Sequence, residues 1–116
     1  MYQQKNNLIV DKTFEFACDI VDVYKQLVNL KMYRIADQVC GAGTSIGANV
    51  REAQRAVSKA DFINKRKIVE EELDESLFFI ELLEVFNEPF KTEIKEFYTE
   101  GEILLKIIVA SIISSR

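Results

Sequence analysis

Apolar positions recur along this chain with a helical period. From Tyr33 onward, apolar or small residues stand at Val39, Gly43, Ile46, Val50, Ala53 and Val57, a spacing that lines one side of an α-helix. An earlier stripe runs through Phe16, Ala17, Ile20, Val21, Tyr24, Leu27 and Val28. A third passes through Phe62, Val69, Leu73, Leu77, Ile80 and Leu83. The last follows Ile94, Phe97, Tyr98, Gly101, Leu104, Leu105, Ile108 and Ile112. The phase resets at Asn29-Leu30-Lys31, and Ser58-Lys59-Ala60-Asp61 has the form of a capping box with Asp61 in place of Glu or Gln. Asn87-Glu88-Pro89 is the sharpest break, since proline favours a helix's first turn. The pattern predicts helices over residues 10–29, 32–57, 59–86 and 89–114, in one domain spanning 1–116, with a frayed polar segment at 1–7. Connections this short make sequential helices antiparallel, so the expected fold is all-α: an up-down-up-down four-helix bundle.

The second helix carries two further features. Gly41, Gly43 and Gly47 lie inside it, each costing ~1 kcal/mol relative to alanine. A neighbouring backbone approaching closely is the expected compensation. Beside the apolar line runs a polar one, Gln38, Ser45, Asn49 and Glu52. Glu71 and Glu75, one turn apart on the third helix, stand where they could meet it. Buried polar groups require partners, so this set reads as an internal network fixing helix register, with a ligand or partner site as the alternative.

Composition narrows the chemistry. Of the 116 residues, 48% are hydrophobic and 29% charged, ordinary for a globular chain. Histidine is absent. Di-iron bundles use Glu with Glu-x-x-His pairs, and nucleophilic Ser or Cys chemistry needs a base, so the expectation is no catalytic residue, no metal and no cofactor. The acidic run around Glu70 to Glu75 then reads as a solvated face, and no small-molecule substrate is expected. Cys18 and Cys40 are too few and too far apart for a zinc site and read as small buried hydrophobes with reduced thiols, a disulfide between the antiparallel first two helices being the alternative. The first ten residues lack an apolar signal core. The longest apolar run, residues 103–113, is interrupted by Lys106 and falls well short of the ~20 residues that span a bilayer. A cytoplasmic protein without membrane contact is expected.

Two surfaces follow from surplus. The fourth helix is apolar nearly all round, and the third repeats the excess at Phe78 and Phe79. Phe78, Phe79, Ile107, Val109 and Ile113 are therefore the expected interface for self-association. Charge is also segregated. Residues 51–67 hold Arg51, Arg55, Lys59, Lys65, Arg66 and Lys67 against Glu52 and Asp61, a balance of +4. Residues 70–88 hold eight carboxylates and no cation, within a chain of net charge −4. The six cations form a candidate nucleic-acid patch at the turn between the second and third helices. Pairing with the acidic wall is the alternative.

Taken together, Ala36-Asp37-Gln38, Thr44-Ser45-Ile46-Gly47-Ala48-Asn49-Val50 and Glu52, followed by Ser58, Asp61-Phe62-Ile63, Glu71 and Glu75, resemble the signature of the four-helix-bundle proteins called 23S rRNA intervening-sequence proteins. The resemblance covers about residues 12–112. Gly47 stands where many relatives have proline, and Arg51-Glu52-Ala53-Gln54 replaces the usual small-Glu-Gly ending. The resemblance implies an up-down bundle assembling into a homopentameric ring, sometimes encoded within ribosomal RNA gene insertions. Related accessory proteins of retroelements bind nucleic acid through a basic surface. The resulting expectation is a non-enzymatic homo-oligomeric assembly or accessory protein, with RNA or DNA binding as the alternative.

Overall fold

The computed structural model describes residues 8–86 and 91–116. They form α1 (Leu8–Asn29), α2 (Tyr33–Ala53), α3 (Lys59–Phe86) and α4 (Lys91–Ser114), with no strand among the described residues. The expected frayed segment at 1–7, the turn at Asn87-Glu88-Pro89 and the expected start of the last helix at 89 lie outside them.

Cross-helix neighbours fix the directions. Gly43 faces Ile20 and Gly47 faces Thr13, so α2 descends as α1 ascends. Lys65 approaches Glu52, and the Ser45 hydroxyl faces Glu72, which reverses α3 against α2. The Tyr98 hydroxyl donates to Glu81 Oε1 at 2.7 Å while Gly101 faces Leu77, reversing α4 against α3. The bundle closes where α4 returns to α1, with the rings of Phe16 and Phe97 4.5 Å apart and inclined at 44°. This fourth seam is the sparsest of the four.

The first turn is a Schellman motif. Met32 N donates to Leu27 O and Lys31 N to Val28 O, both at 2.9 Å, which satisfies carbonyls that the helix end leaves open. The motif requires a left-handed residue, and here it is Lys31, at φ 62°. The second turn differs from expectation: α2 ends at Ala53, not Val57. Gln54, Arg55 and Ala56 close instead onto carbonyls three residues back. Val57 is 92% exposed, so no burial rewards another turn. Its N–H is taken by Asp61 Oδ2 at 3.2 Å, while Asp61 N donates to Ser58 Oγ at 3.0 Å. The expected capping box forms, with the aspartate reaching one residue beyond the cap.

The core joins Phe16, Ile20 and Leu27 of α1 to Val39, Ile46 and Val50 of α2, Leu73, Ile80 and Leu83 of α3, and Ile94, Leu104 and Ile108 of α4. Two of the three α2 glycines serve close approach. At Gly47 a Cβ would lie 3.4 Å from the Thr13 carbonyl oxygen, and at Gly43 it would enter the Ile20 side chain. Gly41 faces open space, which corrects the expectation that all three admit a neighbour.

Candidate functional site

The polar stripe of α2 does not form the expected cross-helix network. Asn49 Nδ2 donates to the Ser45 carbonyl at 2.9 Å, and Ser45 Oγ donates to the Ala42 carbonyl at 2.9 Å, so both are satisfied within their own helix. Gln38, Glu52, Glu71 and Glu75 are exposed, and among the described residues no hydrogen bond joins them to Ser45 or Asn49. The carboxylate that faces α2 is Glu72. Desolvation raises its pKa, Glu75 and Glu71 add to the rise, and the Ser45 hydroxyl opposes it. At about 100° per residue, turning Glu72 toward α2 carries Glu71 outward, while Glu75, one turn further along, ends in solvent.

The six cations near the second turn do not make one patch. Arg66 is only 4% exposed and lies with its guanidinium carbon 4.9 Å from the Phe62 ring centroid. Its Nε has no hydrogen-bond partner, and desolvation lowers its pKa. This corrects the expectation of a surface arginine. Residues 62, 66, 69 and 73 share one face of α3, so the helix that buries Val69 and Leu73 also draws Arg66 inward. Lys65 is half-buried and stands 4.0 Å from Glu52. Arg51 is exposed but stacks over Phe14 of α1, 5.4 Å from the centroid. Arg55, Lys59 and Lys67 are exposed.

The expected interface residues divide. Phe78 is 56% exposed, Ile113 58% and Ile107 37%. Phe79 is half-buried against the core, its ring edge-on to Phe78 at 5.5 Å, and Val109 is half-buried. Sequence reasoning passed over Ile103, which is 51% exposed. Cys18 is exposed, contrary to expectation, because it lies opposite the α1 stripe of Phe16 and Ile20; Cys40 is half-buried, and both are free thiols.

A concavity was missed as well. It lies along the α1–α4 seam and encloses about 630 Å³. Val23, Ile94 and Phe97 form its apolar floor, and Asp19, Asp22, Glu96 and Glu100 stand around it with Lys25 and Gln26. Desolvation raises the pKa of Asp19, with Asp22 and Glu15 adding to the rise. Desolvation also raises that of Glu100, where repulsion from Asp19, Glu15 and Glu96 outweighs the opposing pull of Lys12. The available signal was the helical spacing of Glu15, Asp19 and Asp22 on α1 and of Glu96 and Glu100 on α4. Nothing local in sequence says that these two helices adjoin.

Among the described residues no group of His, Cys, Asp or Glu is placed to hold a metal ion, and no helix is long and apolar enough to cross a membrane.

Comparison with known proteins gives matches of two kinds. The profile of the family described as 23S rRNA-intervening sequence protein matches residues 5–110. A crystal structure from Bacteroides thetaiotaomicron, a protein with unknown function from the S23 ribosomal protein family, superposes with a TM-score of 0.87 at 38% identity. The alignment covers 90% of this chain and 98% of that one. No curated protein matches.

Proposed function

Because the chain belongs to the 23S rRNA-intervening sequence protein family, we propose that it is a non-enzymatic, cytoplasmic assembly or accessory module that works as a homo-oligomer, a pentamer by family resemblance. The observation that carries this reading is the uncovered apolar surface of the last two helices. Phe78, Ile103, Ile107 and Ile113 all remain exposed after α4 has buried its core stripe. Each is a large side chain for which water is the worse environment, at about 25 cal/mol per Å² of apolar area. Large apolar side chains left in solvent on two adjoining helices, Phe78 on the α3 flank of α4 and Ile103 on its α1 flank, mark an interface.

Light scattering at micromolar concentration tests the reading. The wild-type chain is expected well above its 13.4 kDa protomer mass, and Ile107→Glu with Ile113→Glu is expected to dissociate it while helicity is retained. A monomeric wild type would overturn the proposal.

Nucleic-acid binding is the second reading, and the exposed Arg51, Arg55, Lys59 and Lys67 favour it. It ranks lower because Arg66 is withdrawn and Lys65 stands beside Glu52. Lys59→Glu with Lys67→Glu should abolish salt-sensitive RNA retardation if this reading holds.

A further inference from the structure

Two unlike surfaces stand on opposite sides of the bundle. Its seams join α1 to α2, α2 to α3, α3 to α4 and α4 to α1, so the α1–α2 side faces away from the α3–α4 side. On the α1–α2 side, Arg51 lies over the exposed ring of Phe14 and meets no carboxylate among the described residues. Stacking uses the flat face of a guanidinium and leaves the N–H groups around its edge to bond elsewhere. One turn further along each helix stand Cys18 and Ala48, then Val21 on α1, all exposed, and residues 38–50 hold no charged side chain. An outward helix face ordinarily carries charge. On the α3–α4 side lies a hollow of about 300 Å³. Phe78 and Leu105 line it, and Phe78 is more than half exposed, so it offers apolar surface that the protomer leaves uncovered. Asp74, Glu81 and Glu102 border it against one cation, Lys106, and among the described residues none of the three carboxylates forms an ion pair.

Building on the self-association reading, we propose that the α3–α4 hollow of one copy receives the Phe14–Arg51 pair of the next. Phe14 covers Phe78 and Leu105, and the Arg51 N–H groups meet Asp74 and Glu102. An aromatic ring and an arginine seated together in a pocket are the side chains that most often anchor an interface. Charge selects a second copy as the occupant. Residues 51–67 carry a balance of +4, whereas residues 70–88 carry eight carboxylates and no cation. The same charges select the pairing of unlike faces. Two α3–α4 sides brought together would set Asp74, Glu81 and Glu102 of one copy against those of the other, and like charges juxtaposed at an interface are costly. Head-to-tail contacts close into a ring when the rotation between successive copies returns to its start, every copy then using both faces once.

The test begins with light scattering of the wild-type chain, where a monomer removes the self-association reading and this one with it. Given an oligomer, two variants separate the faces: Phe14→Ser with Arg51→Glu alters only the pair, and Phe78→Glu alters only the hollow. Each alone is expected at the 13.4 kDa protomer mass. Mixed in equal amounts they are expected to form a species of twice that mass, because each chain keeps the face that the other has lost. A pair variant that stays oligomeric, or a mixture that stays monomeric, would overturn the proposal while self-association stands. Circular dichroism checks that both variants are folded. If the pair variant loses helicity, Arg51→Glu alone is expected to weaken wild-type assembly at least tenfold, and unchanged assembly would overturn the proposal. Asp74→Lys with Glu102→Lys replaces Phe78→Glu on the same terms.

Discussion

Gly43 of α2 lies directly against Ile20 of α1: a Cβ built on the glycine would stand 2.6 Å from Ile20 Cδ1 and 2.9 Å from its Cγ2. Ile20 is fully buried and has no free side to move toward. Gly43→Ala therefore overpacks the seam and is expected to destabilise by about 1–3 kcal/mol. Gly41→Ala, two residues away in open space, should instead stabilise by up to about 1 kcal/mol. Urea denaturation of the pair measures both, and a shared sign would refute the close-approach account.

Lys31 occupies the left-handed position of the Schellman turn without being glycine. A side chain in this conformation costs about 1 kcal/mol or more. Lys31→Gly is expected to raise the unfolding free energy by about 0.5–1 kcal/mol, after allowance for the greater freedom of glycine in the unfolded chain. A lowered denaturation midpoint would mean that the lysine side chain contributes something beyond filling the turn.

Arg66 brings a cation into the protein, where among the described residues it meets the Phe62 face and no carboxylate. Stacking of this kind is worth about 0.5–2 kcal/mol, whereas taking an ion out of water costs several. Arg66→Met keeps the length and removes the charge. The variant is expected to be at least as stable as wild type by thermal unfolding, and a large loss would point to a counter-charge supplied from outside the protomer.

Asp19, Glu72 and Glu100 have pKa values raised above their ordinary 3.8, 4.5 and 4.5, chiefly by desolvation. A carboxyl raised on folding binds its proton more tightly in the native state. Its contribution is present in full below the unfolded pKa and lost as pH rises through the folded one. These groups therefore favour stability on mild acidification from neutral pH toward those ordinary values. Melting temperature should rise as pH falls from neutral toward those ordinary values, and Asp19→Asn should flatten that rise. A fall of the same slope in both proteins would remove these carboxyls as its source.

Most of the architecture could be read from periodicity, because each core stripe recurs within a single helix. Val39, Ile46 and Val50 announce their buried face with no knowledge of the neighbour. The capping box at Ser58 and Asp61 was legible for the same reason. What failed were statements about partners across helices. Glu72 rather than Glu71 faces α2, a difference of one residue and about 100° that depends on how α3 is rotated. Arg66 falls on the apolar face of α3, but its charge argued louder than its position. The acidic groove needed the one pairing that chain order does not supply.

That pairing also has a temporal side. The Phe16–Phe97 stack joins α1 to α4, whereas the other three seams each join helices consecutive along the polypeptide. As the chain leaves the ribosome, α1, α2 and α3 can pair in turn, while Phe16 waits uncovered until α4 has been translated. Long-range closure of this kind slows folding. Release of the nascent chain before α4 emerges would therefore leave an aromatic side chain open to chaperones and to other unfinished copies.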